Sequence, residues 1–186
     1  MKLGLILSHK KTAILERWFQ QIIESYPPDS SALLLREKDR FTNPVGYTIR
    51  QAIDSLYDEP LGEMNAAHLS ASLDAIIRIR SVQDFSPARA ISFVFLLKKA
   101  VKDELDGELL TGKHTAEFLE LYSRIDEMAL LAFDIYMTCR EKVYQLRLSE
   151  IKTGREQAFH LLEKIGMACS PLEEQKGNNN EDMGLA

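Results

Sequence analysis

The sequence predicts an all-α protein, a single multi-helix domain with a long C-terminal helix. Apolar residues recur at three- and four-residue steps in one stretch after another, as one buried helix face requires. Prolines and capping residues stand where those stretches begin and end. No segment shows sustained two-residue alternation bounded by turn signals, so essentially no sheet is expected. No self-similarity of solenoid length is present either.

The first helix is predicted from about Ser8 to Tyr26, with Ile14, Leu15, Trp18, Phe19, Ile22 and Ile23 on its apolar face. Pro27 and Pro28 stop it, and Asp29 or Ser30 can cap a short second helix through "SALLLREK". Asn43 is a suitable N-cap for the third, and Pro44 fits the first helical position, where a missing N–H costs nothing. That helix is expected to end between Asp58 and Gly62. The fourth covers roughly Glu63 to Val82 and buries Leu69, Leu73, Ile76 and Ile77. After the break "QDFSP", Ser86 caps and Pro87 starts a fifth helix, whose inward face is read as Ile91, Val94, Phe95, Leu97, Val101 and Leu105. Gly107 and Gly112 mark a loop.

The longest element starts near Lys113 and runs to Glu150 or beyond. Phe118, Tyr122, Ile125, Ala129, Ala132, Tyr136, Cys139, Val143 and Leu146 alternate by four and three along it. Leu121, Met128, Leu131 and Ile135 broaden the stripe, so the centre is expected to be buried on most sides, with the helix emerging onto the surface toward Arg147. A last helical stretch is read from about Thr153 to Ile165. The helical domain is thus expected over residues 1–169, followed by a disordered polar tail over 170–186.

Composition narrows the function. The 186 residues are 45% hydrophobic and 27% charged, with a net charge of −5. Four acids against Lys176 place −3 of that charge beyond Ser170 and leave −2 for the body. The negative balance argues against a nucleic-acid binder, which usually shows a basic stripe. Two cysteines, Cys139 and Cys169, form no C-x-x-C pair and suit a reducing cytoplasm. The opening apolar stretch is too short for a signal-peptide core, and no window approaches the roughly 18 apolar residues that span a bilayer.

Motifs for chemistry are missing. The chain has no G-x-S-x-G elbow, no Gly-rich phosphate loop and no H-E-x-x-H. His9, His68, His114 and His160 do not converge with other ligands at metal-binding spacing, so no metal is expected. His68, in mid-helix, is the one position that could ligate haem, and a hydrogen-bonded or partly exposed histidine is the simpler reading. Cys139 lies in an apolar stripe, where a small filler is the default role.

Two places invite a functional reading. Asp134 sits in the apolar run "MALLAFDIYMTC", and a buried carboxylate there needs a partner, which Arg78 or Arg80 can supply. Arg78 and Arg80 are two positions apart and cannot share a helix face, so one is expected inward and one outward. The stretch "RIRSVQDFSPAR" gathers Arg78, Arg80, Gln83, Asp84 and Arg89 around a proline turn. It reads either as a capped helix corner or as a contact surface for a partner or an anionic ligand, helped by N–H groups at the next helix start.

"ILERWFQQIIESYP", "RFTNPVGYTI", "IIRIRSVQDFSPARAISFVFLLK" and "RIDEMALLAFDIYMTCREKVYQLRLSE" together resemble the N-terminal domain of the RsbRD-type proteins, co-antagonists in the bacterial stressosome. The resemblance runs from about Leu7 to Ile151. It implies a dimeric, non-haem, globin-like helical sensor, which in that family projects from a STAS domain phosphorylated by a switch kinase. No α/β STAS segment follows the long helix in these residues, so a stand-alone sensor or adaptor is expected, with no catalytic residues to carry over. The expectation is a non-enzymatic cytoplasmic input domain without cofactor, homodimeric through the long helix and acting on an unidentified regulatory protein. The alternative is a small-ligand or redox-linked accessory protein with a polar pocket near Asp134.

Overall fold

The computed structural model describes residues 3–36, 39–83, 85–109 and 114–168. The order is α1 (Leu3–Glu24), α2 (Pro28–Arg36), α3 (Pro44–Asp58), a 3-10 turn (Glu59–Leu61), α4 (Ala66–Val82), α5 (Pro87–Leu109) and α6 (Thr115–Ala168). The described residues are all-α, and no strand occurs among them. The chain divides into two compact units, Met1–Val143 and Tyr144–Ala186. The tail beyond residue 168, with Cys169, lies outside the described residues.

Local chemistry sets the helix ends. Asn43 is buried, accepts a bond from Gly46 N at 2.8 Å and donates to Leu34 O at 2.9 Å, so one side chain starts α3 and ties it to α2. A Cβ at Gly46 would run into the Asn43 side-chain amide, so the close approach of the cap favours glycine there. Asn65 caps α4 through Ala67 N and His68 N, placing the start of α4 three residues later than the apolar pattern suggested. Ser86 precedes α5, and its carbonyl accepts Ala90 N at 2.9 Å.

In the first unit α1 packs chiefly on α5 and α3 on α4, while α1 also meets α2 and α3. Trp18, Ile22 and Ile23 of α1, Ile49 and Ile53 of α3, Leu73 and Ile76 of α4 and Phe93 and Leu97 of α5 share one core. Two polar side chains inside it are satisfied by backbone: Trp18 Nε1 donates to Phe93 O at 2.7 Å and Tyr57 Oη to Leu7 O at 3.0 Å. Burial pushes the Tyr57 hydroxyl above the ordinary phenol value. The N-terminal part of α6 lays Phe118, Leu121, Ile125, Met128, Ala129, Ala132 and Tyr136 into the same core.

Several expectations are corrected. α1 begins at Leu3, because Leu3, Ile6 and Leu7 extend its buried stripe by more than a turn. On α5 the inward aromatic is Phe93, one position before Val94 and four before Leu97, whereas Phe95 is 44% exposed. Gly107 falls inside α5, and α6 continues through Gly154 without a break. The centre of α6 is not buried all round: Leu130, Phe133, Asp134 and Met137, at steps of three, one and three, form an exposed face. In the second unit, every residue from Tyr144 to Ile165 is exposed.

Candidate functional site

The polar corner of the first unit is built on Arg80. Its position follows from α4 itself, since residue 80 is four beyond Ile76 and three beyond Ile77 and so continues their buried face. Arg80 is 0% exposed. Arg78, off that face, has a side chain 72% exposed and pairs with Asp74 one turn back. One arginine points in and the other out, as the spacing required.

The inward arginine is not neutralised by Asp134. That carboxylate is exposed on α6, about 200° around the helix from both Ala132 and Tyr136, which face the core. An apolar run of that length reads as buried on every side, but only one face of it reaches the core. The pocket expected near Asp134 loses its basis with the pairing. Arg80 instead donates through Nη1 to Arg89 O at 3.1 Å and Ala90 O at 3.3 Å, and through Nη2 to Ser25 Oγ. Its guanidinium lies 4.8 Å from the Phe85 ring centre, 5.2 Å from Tyr26 and 5.7 Å from Phe93. Ring faces are electron-rich, so three aromatics and three oxygens replace a carboxylate. Burial nevertheless pushes the guanidinium below its ordinary pKa, Tyr26 offsets this and the nearby Arg89 adds to it.

Arg89, in the first turn of α5, is exposed and donates to Ser25 O at 2.7 Å. Ser25 follows the last turn of α1, where the macrodipole is negative and favours a cation. Arg89 also lies 5.3 Å from the Phe85 ring centre, so both guanidinium groups rest against that one ring. Tyr26 meets Phe85 edge-on, with centroids 5.2 Å apart. Beside this cluster a cleft of about 300 Å³ is lined by Tyr26, Pro27, Ser30, Gln83, Phe85 and Arg89. Tyr26 Oη and Gln83 Oε1 are buried there without a hydrogen-bond partner, and Arg80 Nε is also unbonded.

Of the six residues singled out from sequence, the structure brings Arg80, Gln83 and Arg89 together, while Arg78 and Asp134 stand apart. Asp84 lies outside the described residues. Sequence reasoning missed Ser25, Tyr26, Phe85 and Phe93. Tyr26 and Phe85 each sit one or two residues ahead of a proline turn, and that placement was the available signal. Elsewhere, His68 is exposed near the start of α4. Cys139 is half-buried, and burial, with Asp74 beside it, pushes its thiol pKa up. Among the described residues no three His, Cys, Asp or Glu side chains are grouped to hold a metal ion, and no helix is long and apolar enough to cross a membrane.

Residues 12–151 match the RsbT co-antagonist protein rsbRD N-terminal domain, and the chain belongs to that family. The family consists of sensor domains of stress signalling. The chain is also 25% identical over 163 residues to an uncharacterized protein of Archaeoglobus fulgidus, covering 84% of this chain and 95% of that one. No solved structure matches it.

Proposed function

We propose that the protein is a non-enzymatic regulatory input or adaptor domain of stress-signalling type, cytoplasmic and non-haem, which works through protein contacts as a homodimer. The observation that carries the dimer is the run of exposed apolar side chains along α6. In the first unit these are Leu130, Phe133 and Met137; in the second they include Leu148, Ile151, Leu161, Leu162 and Ile165. Exposed apolar surface of this extent marks an interface. A helix exposed on every side draws no tertiary packing to stabilise it.

The spacing favours a second copy of the chain as the occupant. In the second unit Tyr144, Ile151, Ala158 and Ile165 recur every seven residues, with Leu148 and Leu162 four positions after the first and third. Seven-residue repetition of this kind is the pattern by which two like helices pair. Family membership supports the regulatory role, the exposure of His68 supports the non-haem reading, and the two-cysteine composition suits the cytoplasm. The globin-like topology rests on the resemblance of sequence.

Native mass spectrometry of the purified protein tests the dimer. The expected species is twice the 21.2 kDa chain. A monomer at micromolar concentration, confirmed by sedimentation, would remove the homodimer from the proposal.

A further inference from the structure

Three features of the corner between α2 and α5 converge on a ligand. Neither Arg80 nor Arg89 forms an ion pair among the described residues, although Arg80 is fully buried and the two repel each other. The cleft of about 300 Å³ opens between the first turns of two helices, with Pro27 and Ser30 at the start of α2 and Arg89 in α5. The positive ends of two helix dipoles thus lie at one opening. Tyr26 is 7% exposed and lines the cleft with an unpartnered hydroxyl, beside the unpartnered Gln83 amide oxygen.

We infer that this cleft binds a small organic carboxylate. Arg89 spends one donor on Ser25 O and has others to offer the carboxylate. Tyr26 Oη can donate to an anion, as can Ser30 Oγ, and the Gln83 amide presents its nitrogen by turning over. Pro27, Phe85 and the Tyr26 ring supply an apolar wall for the organic body. The volume is at the small end of ligand pockets, which suits a metabolite of a few carbons to one ring. Asp29, in the first turn of α2, is exposed and does not line the cleft. An anion here relieves the repulsion between two guanidinium groups, so occupancy tightens the junction of α1, α4 and α5. The inference goes beyond the dimer proposal and does not depend on it.

Isothermal titration of the full chain with acetate, succinate and benzoate tests it, with benzyl alcohol and inorganic phosphate as controls. At least one of the three carboxylates is expected to bind saturably, one per chain. The neutral alcohol is expected to bind about tenfold or more weaker, because it lacks the charge-assisted bonds. Arg89→Gln should keep the helical circular dichroism and lose about tenfold or more in affinity. Tyr26→Phe should keep the helical circular dichroism and bind more weakly. Binding of none of the three carboxylates overturns the inference. So does equal binding of benzyl alcohol, equal binding of phosphate, or binding indifferent to Arg89→Gln.

Discussion

The Arg80 guanidinium lies 4.8 Å from the centre of the Phe85 ring, in a site where no described carboxylate reaches it. A buried cation held by rings and carbonyls is costly to disturb, because removing it leaves acceptors without donors and a void the size of a long side chain. Arg80→Ala is therefore expected to destabilise the first unit by roughly 3–5 kcal/mol. Arg78→Ala, on the solvent side, should stay within about 0.5 kcal/mol of the parent. Urea melts of the two variants check the contrast, and equal midpoints would contradict this account of Arg80.

Asp134→Asn should leave stability within about 0.5 kcal/mol, since the carboxylate is exposed and does not touch Arg80. A large loss in the same melts would restore a buried role for Asp134.

Asn43 both caps α3 and donates to α2. Asn43→Ala is expected to cost roughly 1–2 kcal/mol from the lost cap alone. Gly46→Ala should also destabilise, because its Cβ would run into the Asn43 side chain. Thermal melts of both variants, expected to fall below the parent, provide the check.

Ile151→Glu places a charge at a seven-residue repeat position of α6 and should weaken the proposed self-association. Sedimentation velocity across a concentration series is the measurement. A dimer as tight as the parent's would exclude that face as the interface.

The Cys139 thiol, raised by burial and by Asp74, carries less thiolate at a given pH than an ordinary thiol. In a Cys169→Ser background, iodoacetamide should modify Cys139 more slowly at pH 8 in the native protein than in urea. The rate should climb as pH rises through values above the usual thiol range. Native and unfolded rates that coincide would contradict the burial.

What the sequence by itself determined were the features written in local chemistry. The 3.6-residue period marked the helices, and Asn43–Pro44 and Ser86–Pro87 marked two of their starts, because a cap and a proline act within a turn of where they stand. The division of Arg78 from Arg80 was equally legible, since two residues 200° apart on a helix cannot both face inward. Tertiary packing decided the rest. Which side of "MALLAFDIYMTC" meets the core depends on where α6 docks, so Asp134 could be read as buried when it is exposed. The partner of Arg80 could not be found from sequence because its hydrogen bonds go to backbone carbonyls and a serine, and carbonyls are carried by every residue. The cleft at Tyr26, Gln83, Phe85 and Arg89 joins two proline turns about sixty residues apart in sequence. Only the packing of α1 against α5 brings those turns together.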